Sequence, residues 1–117
     1  MDTRAAATRW RDTWECGWRR LDAGPIVALY REDAVFQSHP FRPAESAADY
    51  ITRTFAEESS ATCEFDEPIV DGDRAAVPWR GSTQLKQGGG EELSGVSLLR
   101  FDAEGLVIEQ RDVWSMR

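Results

Sequence analysis

The residues best suited to chemistry lie near the end of the chain, in the segment Leu106–Trp114 that contains the pair Arg111-Asp112. If this segment is a strand, its side chains alternate between two faces, so Ile108, Gln110, Asp112 and Trp114 share one face. Burial on that face would raise the pKa of the carboxyl group, and a nearby arginine would lower it. A carboxyl group balanced in this way exchanges a proton near neutral pH. The pattern therefore predicts a catalytic or ligand-polarising Asp112, with a structural ion pair or an interface salt bridge as the alternative.

The single histidine, His39, is a second candidate for proton transfer. An imidazole titrates close to physiological pH, which suits a general base. His39 precedes Pro40 at the end of an expected strand, a place where many histidines are simply solvated. Ser38 does not extend it to a Ser-His-Asp site, because adjacent strand residues point to opposite faces and no Gly-x-Ser-x-Gly motif is present.

The sequence contains no motif for a metal or a cofactor. Cys16 and Cys63 are far apart, form no CxxC and are expected to be reduced thiols. Zinc-type ligand spacing is absent, whereas a metal site made only of carboxylates stays open. The glycines 88–90 join two expected strands and precede no helix, so they are not a phosphate loop.

Aromatic residues follow a helical pattern in the first twenty residues. Trp10, Trp14 and Trp18 are spaced by four, which places them on one face of a helix. Together with Tyr30 and Phe36 further along the chain, they either line an apolar cavity or fill the core. Aromatic side chains are common in both places, so both interpretations stand.

Length and charge limit the possible partners. The 117 residues are enough for one domain, spanning 1–117, and 21 acids against 14 bases give a net charge of −7. This charge repels phosphate backbones and anionic lipid, so we expect neither nucleic acid nor a membrane as a partner. The longest apolar run, Ile26–Tyr30, is too short to span a bilayer. The first residues lack the apolar region of a signal peptide, so a cytoplasmic location is expected.

The order of the expected elements predicts an α+β fold. The hydrophobic pattern changes from a helical period in the first half to a period of two in the second half. We expect three helices: one over 3–21, one from Pro25 to about Tyr30 or Arg31, and one that begins at Ser46. We expect strands over 33–39, 74–85, 92–101 and 106–114, and a further strand that begins at Ala61. Three helices packed on a curved antiparallel sheet would enclose a cone, which is a natural pocket for a small apolar ligand.

Three stretches, Ile26–Phe36, Ile69–Ala75 and Phe101–Trp114, together with this element order, resemble the SnoaL-like branch of the nuclear transport factor 2-like superfamily. The resemblance covers nearly the whole chain and implies the conical, cystatin-like α+β fold. It says less about function, because the scaffold hosts isomerases, hydratases, epoxide hydrolases, cyclases and non-enzymes.

The resemblance also assigns roles to residues. The last-strand aspartate of polyketide cyclases is similar in position to Asp112. The Arg-x-Asp of the limonene-epoxide-hydrolase branch matches Arg80-Gly81-Ser82, with serine in place of the second aspartate. Arg80 would then face Asp112 and either keep it ionised or stabilise an oxyanion. On this register Trp79 points to the far side of the sheet, where we expect a subunit interface.

Ketosteroid isomerases fit less well. The aspartate that they place before a proline is His39 here, and their oxyanion-hole tyrosine falls near Trp14. Steroid isomerisation by that mechanism is therefore not expected.

The leading hypothesis is a homodimeric protein, paired through the outer sheet face, that binds a small apolar ligand in a conical pocket. If the protein is an enzyme, the expected chemistry is cofactor-free acid/base catalysis of the cyclase, isomerase or epoxide-hydrolase type. The alternatives are a non-catalytic binding or assembly module and an accessory subunit of another enzyme. The expected catalytic residues are Asp112, Arg80 and His39. The expected substrate-binding residues are Trp14, Trp18, Tyr30, Phe36, Ser82, Gln110 and Trp114.

Overall fold

The computed structural model describes all residues, 1–117, and has three helices packed against one six-stranded sheet. The helices are α1 (Thr3–Arg20), α2 (Ala23–Val27) and α3 (Ala47–Glu57); the strands are β1 (Tyr30–Gln37), β2 (Glu58–Phe65), β3 (Ile69–Asp71), β4 (Arg74–Leu85), β5 (Gly90–Phe101) and β6 (Val107–Met116). The architecture is α+β, as the sequence predicts. None of the helices has both the length and the apolar character that crossing a bilayer requires.

The strands are ordered β1-β6-β5-β4-β2, with β3 paired to β4. All neighbouring pairs are antiparallel except β1 and β6, which run parallel. The sheet is therefore mixed, where the sequence pattern predicted an antiparallel one. The last strand lies inside the sheet, so its inward side chains reach the middle of the concave face.

Helix α1 covers this concave face with its tryptophan stripe. Asp2 caps its first turn by accepting a hydrogen bond from the Ala5 amide at 2.8 Å. Trp10, Trp14 and Trp18 are all buried. Gly17 allows α2 to pack closely, because a Cβ there would lie 2.6 Å from the Ile26 side chain.

The second helix is shorter than predicted and β1 begins earlier. Helix α2 ends at Val27, and Tyr30 already belongs to β1, although we expected the helix to reach Tyr30 or Arg31 and the strand to begin at Asp33. The reason is a distant contact: Tyr30 pairs with Val107 of β6, and the Val107 amide donates to the Leu29 carbonyl at 2.9 Å. Pairing between residues so far apart in the chain overrides the local helical pattern.

Helix α3 begins where its capping signal predicts. The Ser46 hydroxyl accepts a hydrogen bond from the Asp49 amide at 3.3 Å, and Ala47, Ile51 and Phe55 form the buried face. Strand β2 follows directly at Glu58, three residues before the predicted start at Ala61. This early start brings the Glu58 side chain into the interior.

Strand β4 has the opposite orientation from the one expected. Its pairing with β5 runs without a register shift from Arg74 to Gln84, so the side chains alternate regularly. The odd-numbered residues, among them Val77 and Trp79, face the helices, and Arg80 lies on the outer face. The prediction that Arg80 and Ser82 point inward and Trp79 outward is therefore wrong. The apolar residues of this strand occupy its odd positions, and their burial decides which face is inward.

Candidate ligand cavity and active site

A cavity of about 360 Å³ lies between the concave face of the sheet and helices α1 and α3. This volume falls in the range of small-molecule sites. All five tryptophans of the chain line it: Trp10, Trp14, Trp18, Trp79 and Trp114. A wider, open groove beside the first turn of α1 lies away from these side chains.

The aromatic wall is held by edge-to-face contacts. The ring centroids of Trp14 and Trp18 are 6.5 Å apart, those of Trp18 and Trp79 are 5.8 Å apart, and those of Trp14 and Phe55 are 6.2 Å apart. Each indole N–H donates to a protein group; the acceptors are Tyr30 and Gln110, Glu58, Ser97 and the Ser38 carbonyl. Because the N–H groups are occupied, the rings offer a ligand mainly their apolar carbon surface.

Asp112 lies on the floor of this cavity. Its Oδ1 accepts hydrogen bonds from the Ser97 hydroxyl at 2.7 Å and from Gln110 Nε2 at 3.0 Å. The Ser97 oxygen accepts from Trp79 Nε1 at 3.0 Å, so its own proton is directed to Asp112. The other oxygen, Oδ2, has no partner and keeps accessible surface, which makes it the atom available to a ligand.

The Gln110 amide has only one orientation that satisfies its neighbours. Its Oε1 accepts from Trp10 Nε1 at 3.2 Å and from the Tyr30 hydroxyl. The Tyr30 hydroxyl accepts in turn from Trp14 Nε1 at 2.9 Å. These donors fix the amide oxygen away from Asp112, so the NH₂ group must face the carboxyl group.

Burial raises the pKa of Asp112 to about 7. The hydrogen bonds from Ser97 and Gln110 stabilise the carboxylate and partly offset this effect. None of the salt bridges of the chain includes Asp112. Near neutral pH the group therefore exists as a mixture of acid and carboxylate, which is the state that proton transfer requires.

Four of the expected site residues line the cavity together with Asp112. They are Trp14, Trp18, Gln110 and Trp114. Tyr30 and Phe36 lie one layer behind this wall: Tyr30 supports Gln110, and Phe36 is fully buried against Tyr30 and Tyr50. These two expected ligand-binding residues therefore do not line the cavity, because strand alternation gives the face of a residue but not its depth.

The other expected residues lie outside the cavity. Arg80 is exposed and forms an ion pair with Glu64 at 2.7 Å, so the expected contact with Asp112 is absent. Ser82 lies on the same outer face. The half-buried His39 packs its ring 4.9 Å from that of Trp114, and its Nδ1 accepts from the Phe41 amide. It supports the cavity wall from behind rather than lining the cavity.

Sequence reasoning missed several side chains that line the cavity. Arg42 places its guanidinium 5.3 Å above the Trp114 ring, and Tyr50 reaches the same region from α3. Burial, together with the charge of Asp112, raises the pKa of Tyr50, so its hydroxyl remains a donor. Ser97 and Trp79 were missed because the inward faces of β4 and β5 were not assigned correctly. No local signal identifies Arg42, which lies in an irregular loop between Pro40 and Pro43.

The residues offer no evident metal site. No group of three or more histidine, cysteine, aspartate or glutamate side chains is arranged to hold an ion.

The chain belongs to the SnoaL-like domain family, whose model matches residues 7–110. No curated protein matches the sequence. The match covers α1 from residue 7 onward and β6 as far as Gln110, so it includes most of the elements that form the cavity and ends before Asp112.

Solved structures with the same fold include nuclear transport factor 2-like proteins. AclR from Streptomyces galilaeus has a TM-score of 0.80 at 19% identity, covering 99% of this chain and 82% of its own. An NTF2-like protein of unknown function from Exiguobacterium sp. 255-15 has a TM-score of 0.75 at 13% identity, covering 94% and 98%. SalBIII, an epoxide hydrolase/cyclase-like enzyme of pyran ring formation in polyether salinomycin, has a TM-score of 0.73 at 18% identity, covering 93% and 86%. At these identities the likeness shows the fold alone.

Proposed function

We propose that the protein binds a small, mostly apolar molecule in the 360 Å³ cavity and catalyses cofactor-free proton transfer on it, with Asp112 as the acid/base. The observation that carries this proposal is the state of the Asp112 carboxyl group. One oxygen is fixed by Ser97 and Gln110, the other is open to the cavity, and the pKa is raised to about 7. Substrates that fit are carbonyl compounds, polyketide-like molecules and epoxides.

On a carbonyl substrate the reaction balances without an added reagent. Asp112 Oδ2 takes the proton from the carbon next to the carbonyl group, and the electron pair of that C–H bond moves to the carbonyl oxygen. The enolate then closes a ring or recovers a proton at another carbon, and Asp112 returns the proton. The tryptophan walls exclude water during these steps, which strengthens the electrostatic interactions inside.

The negative charge that develops on the substrate oxygen needs a donor, and Arg80 is on the wrong face to supply one. Arg42 and the Tyr50 hydroxyl both line the cavity, and Tyr50 stays protonated because its pKa is raised. We assign to these two groups the role that was expected of Arg80. Hydrogen-bond donors and positive charges placed at a developing oxyanion stabilise the transition state.

The experiment uses 2-tetralone, an apolar bicyclic ketone with exchangeable protons next to its carbonyl. The rate of deuterium incorporation from D₂O is followed by proton NMR with and without the protein. We expect the protein to accelerate the exchange, and Asp112→Asn to reduce that acceleration by about 10²–10⁴-fold. The rate should rise with pH through about 7, because the carboxylate is the base.

The exposed Arg80 supplies the control, since Arg80→Gln should leave the exchange rate unchanged. Binding is measured in parallel by tryptophan fluorescence. If 2-tetralone binds and its exchange is not accelerated, the catalytic role of Asp112 is contradicted, and the non-catalytic binding module becomes the better assignment. An Asp112→Asn protein that keeps full activity would contradict the proposal directly.

A homodimer through the outer sheet face remains part of the proposal. Val35, Leu98 and Val113 are each about half exposed, at 44%, 46% and 50%, and the strand pairing places all three on that face, with Leu98 and Val113 in diagonal positions. Exposed apolar side chains on a sheet face are typical of subunit contacts. Sedimentation analysis of the wild type and of Val113→Asp tests this: a dimer that dissociates in the variant supports the proposal, and a monomeric wild type contradicts it.

A further inference from the structure

A second carboxyl group is buried in the cavity wall, at Glu58, the first residue of β2. The residue is only 4% exposed. Its Oε1 accepts a hydrogen bond from Trp18 Nε1 at 3.0 Å, whereas Oε2 has no donor within the chain. Desolvation raises the pKa of Glu58, and the neighbouring carboxylates of Glu91 and Glu57 add to this effect. The acid/base scheme at Asp112 does not use this group.

Glu58 and Asp112 lie at different ends of the cavity. Asp112 is held by Ser97, which pairs with Val77 of β4. Glu58 pairs instead with Leu85, eight positions further along the same strand (residues 77 and 85). Both side chains nevertheless line the same cavity, so a ligand that fills it contacts Asp112 with one part and Glu58 with another.

The cavity lining is strongly acidic. It includes five carboxyl groups, those of Glu45, Glu57, Glu58, Glu91 and Asp112, and two guanidinium groups. Neither guanidinium group contacts Glu58: Arg53 pairs with Glu45 at 3.0 Å, and Arg42 lies over Trp114 at the Asp112 end of the cavity and donates to the Ser38 hydroxyl.

No cation of the chain is paired with the carboxyl groups at the Glu58 end. Glu57, Glu58 and Glu91 form no salt bridge. An anionic ligand would be repelled there, and a neutral ligand without a donor would leave Glu58 Oε2 buried and unpaired, which is costly.

The surroundings of Glu58 favour a positive charge. Trp18 places its ring beside the carboxyl group and meets Trp14 and Trp79 edge to face. The faces of such rings attract cations, most strongly when the site is desolvated. Gly81 leaves the space that the Trp18 ring occupies, because any Cβ at this position would overlap the indole ring.

We propose that the ligand is an apolar organic amine, bound with its protonated ammonium group against Glu58 and Trp18 and its apolar remainder directed toward Asp112. This proposal rests on the proposed function in one respect, that the same cavity is the ligand site. It names the class of molecule: a carbon skeleton with one cationic nitrogen at one end and the reacting group at the other.

The test compares two compounds of the same shape, 4-phenylpiperidine, which is a cation at pH 7, and 4-phenyltetrahydropyran, in which a neutral oxygen replaces the nitrogen. Binding to the full-length protein is followed by tryptophan fluorescence, since all five tryptophans line the cavity. We expect the amine to bind at least about tenfold more tightly than the ether. In Glu58→Gln this preference should fall below about threefold, because the carbonyl of glutamine can still accept from Trp18 but carries no charge.

Glu64→Gln is the matched control, since it removes the same charge from the outer face, where Glu64 pairs with Arg80. Retention of the preference in that variant, with its loss in Glu58→Gln, supports the proposal. Equal affinity of the wild type for amine and ether overturns it without relying on any variant. In that case a bound ether still supports the cavity as a ligand site, and the exchange assay on Asp112 decides the proposed function separately. If neither compound binds, this inference fails, and binding and exchange of 2-tetralone decide the proposed function on their own.

Discussion

Trp79 and Arg80 are neighbours in β4, yet they belong to two different environments. Trp79 faces the cavity and donates to Ser97, which holds Asp112. Arg80 faces outward and pairs with Glu64 in solvent. The same division separates Arg111, paired with Glu109 at 3.1 Å on the outer face, from Asp112 within.

The comparison shows that the ion pairs Arg80–Glu64 and Arg111–Glu109 lie on the opposite side of the sheet from the carboxyl groups with raised pKa values, those of Asp112 and Glu58. On the outer face, carboxylates have arginine partners and water, and such pairs contribute about 0–1 kcal/mol. On the concave face, Asp112 and Glu58 have no cationic partner, and burial raises the pKa of both. Reactivity here follows from burial without a counter-charge rather than from an Arg–Asp pair.

The largest difference in stability is expected between two phenylalanine-to-alanine variants, one in the core and one on the surface. Phe36 is fully buried, whereas Phe41 is 94% exposed beside the cavity mouth. We expect Phe36→Ala to lower the free energy of unfolding by about 3–5 kcal/mol and Phe41→Ala by less than about 0.5 kcal/mol. Urea denaturation measures both values, and similar losses in the two variants would contradict the assignment of Phe36 to the core.

The pH dependence of stability should differ between wild type and Asp112→Asn. Below about pH 4 the carboxyl group is protonated in both the folded and the unfolded chain. As pH rises, the unfolded chain releases this proton first, and the folded chain keeps it until about pH 7. The wild type should therefore lose up to about 4 kcal/mol relative to Asp112→Asn between pH 4 and pH 7, with no further loss above.

Urea denaturation at pH 4, 5.5 and 8 gives this difference. Glu64→Gln on the outer face controls for the removal of one negative charge from the protein. Parallel pH profiles for wild type and Asp112→Asn would contradict the burial of Asp112.

A smaller effect on stability is expected for an alanine placed on either side of β4. In Gly81→Ala the new Cβ meets the ring of Trp18, so the variant should be destabilised by about 1–3 kcal/mol through overpacking. Ser82→Ala, the next residue on the outer face, should change the free energy of unfolding by less than about 0.5 kcal/mol. Thermal unfolding of the two variants tests the inward and outward assignment of this strand.

The smallest change in the free energy of unfolding is expected on replacing Arg80. Because the Arg80–Glu64 pair is exposed, Arg80→Gln should change the free energy of unfolding by less than about 1 kcal/mol. Affinity for a cavity ligand should not change either. A large loss of affinity in this variant would restore the role that the sequence first suggested and would break the division between the two faces.

Much of the architecture could be predicted because it is locally encoded. The spacing of Trp10, Trp14 and Trp18 gives the buried face of α1, and Ser46 gives the start of α3. Alternation gives the shared face of Gln110, Asp112 and Trp114, which lines the cavity. The turn after Asp71 could also be predicted, because such a turn requires a positive φ and glycine adopts one readily. Gly72 has a φ of 63°.

The rest depends on contacts between distant segments. The start of β1 at Tyr30 is set by β6, and the inward face of β4 by the helix that covers it. Near Pro78, β4 contains both apolar and polar residues, so the sequence alone did not decide which face of this strand is inward. The resemblance to other families then suggested the wrong partner for Asp112. Glu58 was not identified because nothing in the local sequence shows that β2 begins there.

The parallel pairing of β1 with β6 has a consequence for the time course of biosynthesis. Gln37 pairs with Arg111, so β1 leaves the ribosome long before its partner strand is made. At about 5–20 residues per second, the interval lasts several seconds. During that interval the apolar sides of α1 and β1 have no finished sheet to cover them, so the unfinished chain exposes hydrophobic surface that the complete fold buries.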